Sequence, residues 1–587
     1  MAKKGSKIFD WNVISRVLSL ASPYKKQFFT SAALACGLSV LGPVRPFLIQ
    51  KAVDEYILTL DWIGLQQIVV ILLVVLIGES LCRYFFIYIS NWLGQHIIEE
   101  LRTSVFNHIT ALKLRYFDLT PIGSLTTRTI NDIEAINSIF TQGIVTIIAD
   151  ILTIVLVLSF MFSADLKLSL LTLASLPLMF ISTYIFQKGI RRATESVRTQ
   201  ISKMNAFLQE YLSGIHIVQV FVKDDNIVSQ FDEINADHRS AHIETIWYYS
   251  IFFPVVELLI AVSVGIILWY GGIQIVTKSA VSLGSIISFI LYVHLLFRPI
   301  RQLADKFGVL QTGIIASERV FEVLDNDEII KNDGDFESSS VKGKIEFSNV
   351  HFSYDKKTEV LSDINFKVLP GESIALVGAT GAGKSSIINV LTRYYEITQG
   401  EVTLDDIKIE DYDLEDLRKH IGVVLQDVFL FSGSVYDNIT LKNVKISLAE
   451  VQEAAKMVGI HDMIEALPGG YDYQVGERGV TLSLGQRQLI SFVRALVYNP
   501  KVLVLDEATS SIDTESEIMV QKATEKLVAG RTSIIIAHRL STIQHADKII
   551  VLDKGKVVEF GTREDLMKKQ DGWYRKLYET QFKLQEV

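Results

Sequence analysis

Six long apolar segments in the first 300 residues constrain this chain more than any other feature of its sequence. Most of them reach the length of about 20 residues that an α-helix needs to cross the hydrocarbon core of a bilayer. One such segment could be a buried helix of a soluble protein, but six in succession predict an α-helical, polytopic membrane domain. The predicted spans are 28–50, 65–89, 139–162, 166–186, 251–271 and 283–297.

Positive charge in the loops predicts the orientation of these helices. Lys and Arg are frequent in the N-terminal leader and in the stretches 91–138 and 187–246, and sparse in the connections 51–64, 163–165 and 272–282. Because loops rich in Lys and Arg tend to stay in the cytoplasm, both long stretches and both termini are expected there. The long stretches keep helical periodicity, so the helices are expected to continue beyond the membrane. The chain is therefore predicted to be a multi-pass protein of the cell (inner) membrane.

Several ionisable residues lie inside the predicted spans, where a central Glu or Arg costs about 2.5–3.5 kcal/mol on insertion scales. Glu79 and Arg83 are four residues apart, so they can pair on one helical face. Two interpretations stay open, because such residues either contact a substrate in a central cavity or form an internal ion pair that stabilises the bundle. The candidates for a substrate cavity are Arg45, Glu79, Arg83, Glu257 and His294.

A polar, charged segment after the last span indicates a domain boundary. From Ile345 onward, short β-rich runs alternate with helical patterns, which predicts an α/β domain. The sequence therefore predicts a membrane domain over 1–325, a linker over 326–342 and an α/β domain over 343–587. The net charge of −9 argues against nucleic acid as a partner.

A glycine-rich loop indicates the chemistry of the second domain. An apolar strand pattern precedes it and a helical pattern follows it, which is the context of a nucleotide phosphate-binding loop. Its glycines let backbone N–H groups surround the phosphates, Lys384 is expected to neutralise the β and γ oxygens, and the Ser385 hydroxyl is expected to ligate Mg²⁺. The residues of this nucleotide site are Gly378, Ala379, Thr380, Gly381, Ala382, Gly383, Lys384, Ser385 and Ser386.

Three further strand patterns end in polar side chains that suit nucleotide hydrolysis. One apolar run ends in Asp506 and Glu507, and two others precede Gln426 and His538. Because parallel sheets bind ligands at the carboxyl ends of their strands, these side chains are expected at one edge of a sheet. Asp506 is expected to hold Mg²⁺, directly or through water, and Glu507 to polarise the attacking water. Gln426 can reach both metal and water, and His538 can reach the γ-phosphate.

These motifs together resemble an ATP-binding cassette (ABC) domain, and the whole chain resembles a half-transporter of the type IV exporter family. The resemblance implies a membrane domain of six transmembrane helices fused to an α/β P-loop ATPase domain. By the same resemblance, Tyr354 stacks on the adenine and residues 475–479 contact the membrane domain. The motifs that carry it are the phosphate loop 378–385, Gln426, the signature 482–486, the strand 502–507, the D-loop 510–513 and His538.

The resemblance also implies a partner, because the family signature faces the ATP of a second cassette. The residues expected at the ATP of the partner subunit are Ser483, Gly485, Gln486 and Asp513. The usual signature has Gly where this chain has Leu484. An altered signature beside intact Glu507 and His538 occurs in heterodimers, and it is also compatible with a homodimer. Both assemblies stay open.

The expected function is ATP-driven export or flipping of amphipathic molecules, either drugs or lipids, by alternating access in a dimer. ATP, Mg²⁺, membrane lipids, a small amphipathic substrate and a second half-transporter are the expected partners. A multidrug exporter and a lipid or lipid A flippase are not separated by the sequence. The alternative is an ATP-gated channel or a regulatory protein on the same scaffold, and the complete catalytic set argues against it.

Overall fold

The computed structural model describes residues 11–277, 281–330, 332–338, 340–506, 514–537 and 543–579, without the side chains of 303–304 and 514–516. The chain forms two compact units, of which the first comprises residues 1–110 and 122–326 and the second comprises 111–121 and 327–587. Nothing in the sequence indicates that the short segment 111–121 belongs to the second unit. The expected domain limits, 1–325, 326–342 and 343–587, stay predictions.

Long apolar helices make up the first unit. Among the described residues, six helical runs are long and apolar enough to cross a membrane, as the sequence predicts. They contain 36 to 53 residues each, more than the about 20 that a bilayer requires, so they are long enough to extend well beyond it. The six runs are Ser22–Ile57, Trp62–Ala111, Ile122–Ala164, Leu166–Ser213, Asp224–Val276 and Leu283–Leu324.

Several of these runs consist of more than one regular helix. Pro43 and Pro46 lie inside the second helix, and π-helical turns occur at Ala52–Ile57, Arg128–Asp132 and Ile139–Gly143. The helices of the first unit are α1 (Trp11–Ser19), α2 (Lys25–Lys51), α3 (Trp62–Ala111), α5 (Ile122–Thr127), α6 (Ile133–Ser138), α7 (Ile144–Ala164), α8 (Leu166–Leu173), α9 (Leu176–Ser213), α10 (Ile215–Val220), α11 (Asp224–Val276) and α12 (Leu283–Leu324).

Helix α12 is the central helix of this unit. In the most apolar 18-residue stretch of α12, 61% of the residues are buried, whereas the corresponding stretch of α3 has 6% buried. It packs against α2, α7 and α11, and it buries Phe289, Tyr292 and Phe297 in an apolar cluster of the unit. The Tyr292 hydroxyl donates to the Pro43 carbonyl oxygen at 3.1 Å, which gives this buried polar group a partner.

The second unit is an α/β domain, as the sequence predicts. Within the described residues its strands form sheets of order β2-β1-β4-β5, β12-β11-β3-β10-β9-β6 and β7-β8. The strands are β1 (Ile345–Phe352), β2 (Leu361–Val368), β3 (Ser373–Gly378), β4 (Gln399–Leu404), β5 (Ile407–Lys408), β6 (Ile421–Val424), β7 (Gly433–Ser434), β8 (Gln474–Val475), β9 (Val502–Asp506), β10 (Thr532–Ile536), β11 (Lys548–Asp553) and β12 (Lys556–Gly561).

Helices cover the second sheet. Strands β3, β9 and β10 are buried almost throughout, as parallel strands are when helices cover both faces of a sheet. The helices of this unit are α4 (Leu114–Leu119), α13 (Lys384–Leu391), α14 (Leu414–His420), α15 (Val435–Thr440), α16 (Leu448–Val458), α17 (His461–Glu465), α18 (Leu484–Val497), α19 (Thr514–Val528), α20 (Arg563–Lys568) and α21 (Trp573–Leu577).

Candidate nucleotide site and membrane cavity

Four neighbouring strands bring the predicted polar residues to one edge of the second sheet. Strands β3, β10, β9 and β6 are adjacent and parallel, so their carboxyl ends point the same way. Asp506 pairs in register with Ile536, which pairs with Leu376 on its other side. The glycine loop starts at Gly378, at the end of β3, and Gln426 lies two residues after β6. The fold thus collects the loop, Asp506 and Gln426 at this edge.

Backbone geometry explains the glycines of the loop. Gly381 and Gly383 have φ angles of 82° and 101°, in the left-handed region that strains residues with a Cβ. At Gly378, a Cβ would lie 2.3 Å from the carbonyl oxygen of Leu552. Gly383 is also the N-cap of α13, whose first backbone N–H groups have no partner within the helix. The loop and this helix end together form a binding site for an anion such as phosphate.

Lys384 is oriented into the loop. Its ammonium donates to the carbonyl oxygens of Gly378 at 2.8 Å and Ala379 at 3.0 Å. Burial lowers the pKa of Lys384, and the negative charge of Asp506 opposes that shift. The cation is therefore held beside the backbone that would surround the phosphates, and phosphate oxygens can replace the two carbonyls as acceptors.

The donor set at the sheet edge fits Mg²⁺. Ser385 and Gln426 are exposed and Asp506 is half-buried, and each offers an oxygen ligand. Magnesium is usually bound through one or two carboxylates and completes its shell with water and phosphate oxygens. Within the described part of the chain, no group of three or more His, Cys, Asp or Glu could hold a metal ion.

Tyr354 is fixed against the helix that follows the loop. Its hydroxyl lies 3.0 Å from the Ser386 hydroxyl and accepts from the Asn389 amide at 3.0 Å. Its ring meets those of Phe352 and Tyr395 edge-to-face, with centroids 4.7 and 4.8 Å apart. These contacts orient the Tyr354 ring next to α13, where the resemblance places the adenine.

The signature forms a capped helix end. The Ser483 hydroxyl accepts from the Gln486 backbone N–H at 3.2 Å, and the Gln486 side chain accepts from the Ser483 N–H at 2.9 Å. Leu484 is the first residue of α18 and leaves this capping box intact, while Ser483 stays exposed and Gly485 is buried. Among the described residues, no hydrogen bond joins the signature to the phosphate loop of the same chain.

Three predicted residues of the nucleotide site, Glu507, Asp513 and His538, lie outside the described residues. Their predicted roles stay predictions.

In the first unit, three of the five predicted cavity residues come together. Glu79 accepts from Arg83 at 2.9 Å and lies 3.7 Å from Arg45, and all three line a cavity of about 460 Å³. Glu257 in α11 and His294 in α12 are exposed and do not line this cavity. The ion pair predicted from the four-residue spacing is therefore present, with a second arginine added from α2.

A neighbouring cavity contains charged residues that the sequence analysis missed. It has a volume of about 330 Å³ between α2, α3, α7 and α12, and its charged lining residues are Glu79, Arg83, Asp150, Arg298 and Lys306. Lys306 pairs with Asp150, whereas Arg298 has no ion pair among the described residues.

A visible sequence signal existed for one of these residues. Asp150 lies inside the predicted span 139–162 and is as unusual there as Glu79 in its own span. Arg298 is the first residue after the predicted span 283–297, so a predicted span one residue longer would have included it.

A polytopic helical domain and a phosphate-loop ATPase domain in one chain define a membrane transporter subunit powered by a nucleotide. The profile of the ABC transporter transmembrane region matches residues 28–300, and the profile of the ABC transporter ATPase family matches residues 361–510. The chain therefore belongs to the ABC transporter family. With one domain of each kind, it is a half-transporter of the exporter type.

Characterised and uncharacterised relatives align along nearly the whole chain. An uncharacterized ABC transporter ATP-binding protein of Bacillus subtilis is 36% identical over 98% of this chain and 96% of its own length. A second Bacillus subtilis protein, named as a multidrug export ATP-binding/permease protein, is 34% identical over 97% of this chain and 98% of its own. The ATP-dependent lipid A-core flippase of Syntrophus aciditrophicus is 34% identical over 98% and 96%.

These comparisons confirm the predicted family, the fold class and an ATP hydrolase coupled to transport. The protein is an ATP-binding, integral, multi-pass membrane protein of an exporter family. Its half-transporter architecture implies that it dimerises with another half-transporter.

Proposed function

We propose that this chain, paired with a second half-transporter, exports or flips amphipathic molecules by alternating access. The observation that carries the proposal is the charged cavity inside an otherwise apolar bundle. Such a cavity offers apolar walls to a hydrocarbon tail and ionic partners to a headgroup. Charged residues at membrane depth are costly, and they commonly mark the path of a substrate.

The charge balance of this cavity favours an acidic headgroup. Three cations, Arg83, Arg298 and Lys306, face two carboxylates, Glu79 and Asp150. An anionic group bound beside Arg298 would give that guanidinium a partner, and bonds of this kind between charged groups are the stronger ones. Relatives named for lipid A-core flipping and for multidrug export make lipids and drugs the two substrate classes to compare.

At the nucleotide site, the residues of this chain hold and orient ATP. The loop N–H groups and Lys384 bind the phosphates, and Tyr354 stacks on the adenine. Ser385, Asp506 and Gln426 would hold Mg²⁺, which neutralises the charge that develops on the phosphates. Glu507 would then polarise the attacking water and His538 would contact the γ-phosphate.

The second subunit would complete this site. Ser483, Gly485, Gln486 and Asp513 would contact the ATP held by the partner's loop, so that two ATP molecules join two cassettes. The exposure of the Ser483 cap, which no contact of its own phosphate loop covers, supports this arrangement. Both termini and the ATPase domains would lie on the cytoplasmic side of the cell (inner) membrane.

A subunit interface would also explain the exposed apolar tip of the second long loop. Ile217, Val220 and Phe221 are 66%, 78% and 68% exposed at the end of α10. Adjacent exposed apolar side chains of this size are typical of interaction surfaces. We assign the partner subunit as the surface that covers them.

A matched pair of arginines on α12 tests the substrate assignment. In proteoliposomes, Arg298→Gln is expected to reduce ATP-dependent flipping of a fluorescent phosphatidic acid roughly tenfold, since a bond to a charged group contributes about 1.5–3 kcal/mol. Arg301→Gln is the control, because Arg301 lies three residues away, over the ring of Phe253 at 5.7 Å, and lines a different cavity.

Two further lipids, a zwitterionic and a cationic analogue with the acyl chains of the phosphatidic acid, test whether the headgroup must be acidic. Flipping of only a zwitterionic or a cationic analogue would contradict the acidic headgroup and leave the exporter intact. If the unaltered protein moves none of the three lipids and neither they nor a panel of amphipathic drugs stimulate its ATPase activity, the proposed function is wrong.

A further inference from the structure

The segment that follows the last membrane helix forms hydrogen bonds with two other parts of the second unit. Its first part forms an antiparallel bridge with segment 111–121, in which Leu112 faces Ile329. The Lys113 N–H donates to the Glu328 carbonyl at 2.8 Å, and the Ile330 N–H donates to the Ala111 carbonyl at 3.1 Å. The sequence predicts a polar linker here, and the structure shows a segment tied to its surroundings.

Residues 332–338, which we call the clasp, bind along the start of α14. The Asn332 amide donates to the Asp413 carboxylate and its carbonyl oxygen accepts from the Leu414 N–H, each at 2.7 Å. The Phe336 N–H donates to the Asp411 carbonyl at 3.0 Å, and the Phe336 carbonyl accepts from the Asp413 N–H at 2.9 Å.

Two observations indicate that this contact is specific. A Cβ at Gly334 would lie 2.3 Å from the carbonyl oxygen of Tyr412, so the clasp approaches this backbone as closely as glycine permits. The rings of Phe336 and Tyr412 also meet edge-to-face, with centroids 5.0 Å apart. Tyr412 itself is completely buried.

Helix α14 in turn holds the end of the phosphate-loop helix α13. The Arg418 guanidinium donates to the carbonyl oxygens of Thr392 at 3.4 Å and Arg393 at 3.1 Å, directly after α13 ends. From the other side, Arg393 donates to the carbonyl oxygens of Ile409 at 3.0 Å and Tyr412 at 3.2 Å. The clasp therefore contacts the same backbone stretch that Arg393 binds.

We propose that Asn332 is a positioning residue for ATP binding, because the clasp fixes α14 and α14 fixes α13, the helix that begins with Lys384 and Ser385. The bonds of Asn332 to Asp413 and Leu414 are the first link of this chain, and those of Arg418 to the end of α13 are the second.

Exchanging the side chains of Asn332 and Asp413 tests the contact between the clasp and α14. Asn332→Asp brings a second carboxylate to Asp413 and removes the amide donor. Combining it with Asp413→Asn restores the side-chain bond with donor and acceptor exchanged, while the Leu414 N–H still donates to the oxygen at position 332. Asn remains a good N-cap for α14. The Asp413 side chain caps this helix by accepting from the Asp416 N–H at 2.9 Å.

The readout is ATPase kinetics of the full-length protein in lipid nanodiscs. Asn332→Asp is expected to raise KM for ATP about threefold with little change in kcat, in the range of one lost hydrogen bond, and the double variant should return KM to its original value. A merely structural defect would reduce the active fraction, and hence kcat, without moving KM.

An unchanged KM in Asn332→Asp would overturn the proposal, as would a double variant that folds and keeps the raised KM. If Asn332→Asp does not fold, Asn332→Ala removes both bonds of this side chain without adding charge, and the same KM criterion applies to it. The measurement uses ATP alone, so its outcome is independent of the proposed transport substrate.

Discussion

Lys384 has two properties that distinguish it from a lysine on the protein surface. It is buried, which lowers its pKa, and its ammonium is held by two loop carbonyls rather than by a carboxylate. Its hydrogen bonds are therefore to neutral acceptors, and a triphosphate offers it stronger, charged ones.

Removing this ammonium should weaken ATP binding itself. We expect Lys384→Ala to raise the dissociation constant for ATP by roughly tenfold or more, because a hydrogen bond to a charged group contributes about 1.5–3 kcal/mol. Equilibrium binding of a fluorescent ATP analogue to the purified protein measures this change. Lys384→Arg keeps the charge and serves as the control, and unchanged affinity in Lys384→Ala would contradict the assignment of the loop.

At the scale of single residues, the sequence predicted the features that depend on residues close together along the chain. The loop 378–385 and the Glu79–Arg83 pair each follow from spacings of a few residues, and the structure contains the corresponding local geometry. Arg45 joins Glu79 from another helix, and Lys306 joins Asp150 over 156 positions. Such partners depend on how helices pack, which one sequence does not specify.

Among the elements, α3 places one carboxylate between two guanidinium groups. Glu79 is the shared partner of Arg45 and Arg83, and only 13% of its side chain is exposed. The sequence left open whether these residues bind substrate or stabilise the bundle. Their mutual contacts show an ion pair, and their position on a cavity wall leaves the substrate role as a proposal.

Neutralising Glu79 alone should destabilise the membrane domain. Glu79→Gln leaves two guanidinium groups without their carboxylate, and we expect a loss of about 1–3 kcal/mol with a lower Tm in detergent. Glu79→Gln combined with Arg83→Gln removes one of the unpaired charges and should recover part of that loss. A single variant as stable as the parent protein, or a double variant less stable than the single, would contradict a stabilising pair.

The clasp and segment 111–121 show the limit of prediction at the level of elements. Polarity and the absence of periodicity indicated a boundary near 326–342, but the backbone pairing of 328–330 with 111–113 involves positions more than 200 residues apart. Main-chain hydrogen bonds of this kind place little demand on side-chain identity. The sequence therefore carried no pattern from which to predict them.

For the whole molecule, the central claim is that each ATP site is built by two subunits. A single chain supplies one phosphate loop and one capped signature, and within the described residues no hydrogen bond joins them. Leu484 leaves the signature helix intact, so the departure from the family's usual glycine does not by itself exclude a pair of identical chains.

Mixed dimers of two differently tagged copies, isolated by both tags, test this claim through their ATPase activity. The first dimer carries Lys384→Ala in one copy and Ser483→Ala in the other, and the second dimer carries both changes in one copy. If each site is built by two subunits, the first dimer keeps one complete site and the second keeps none. We predict hydrolysis in the first dimer and almost none in the second. The reverse result, hydrolysis only when both changes share a copy, would show that each chain builds its own site and would contradict the account. If no mixed dimer forms, the partner is not a second copy of this chain.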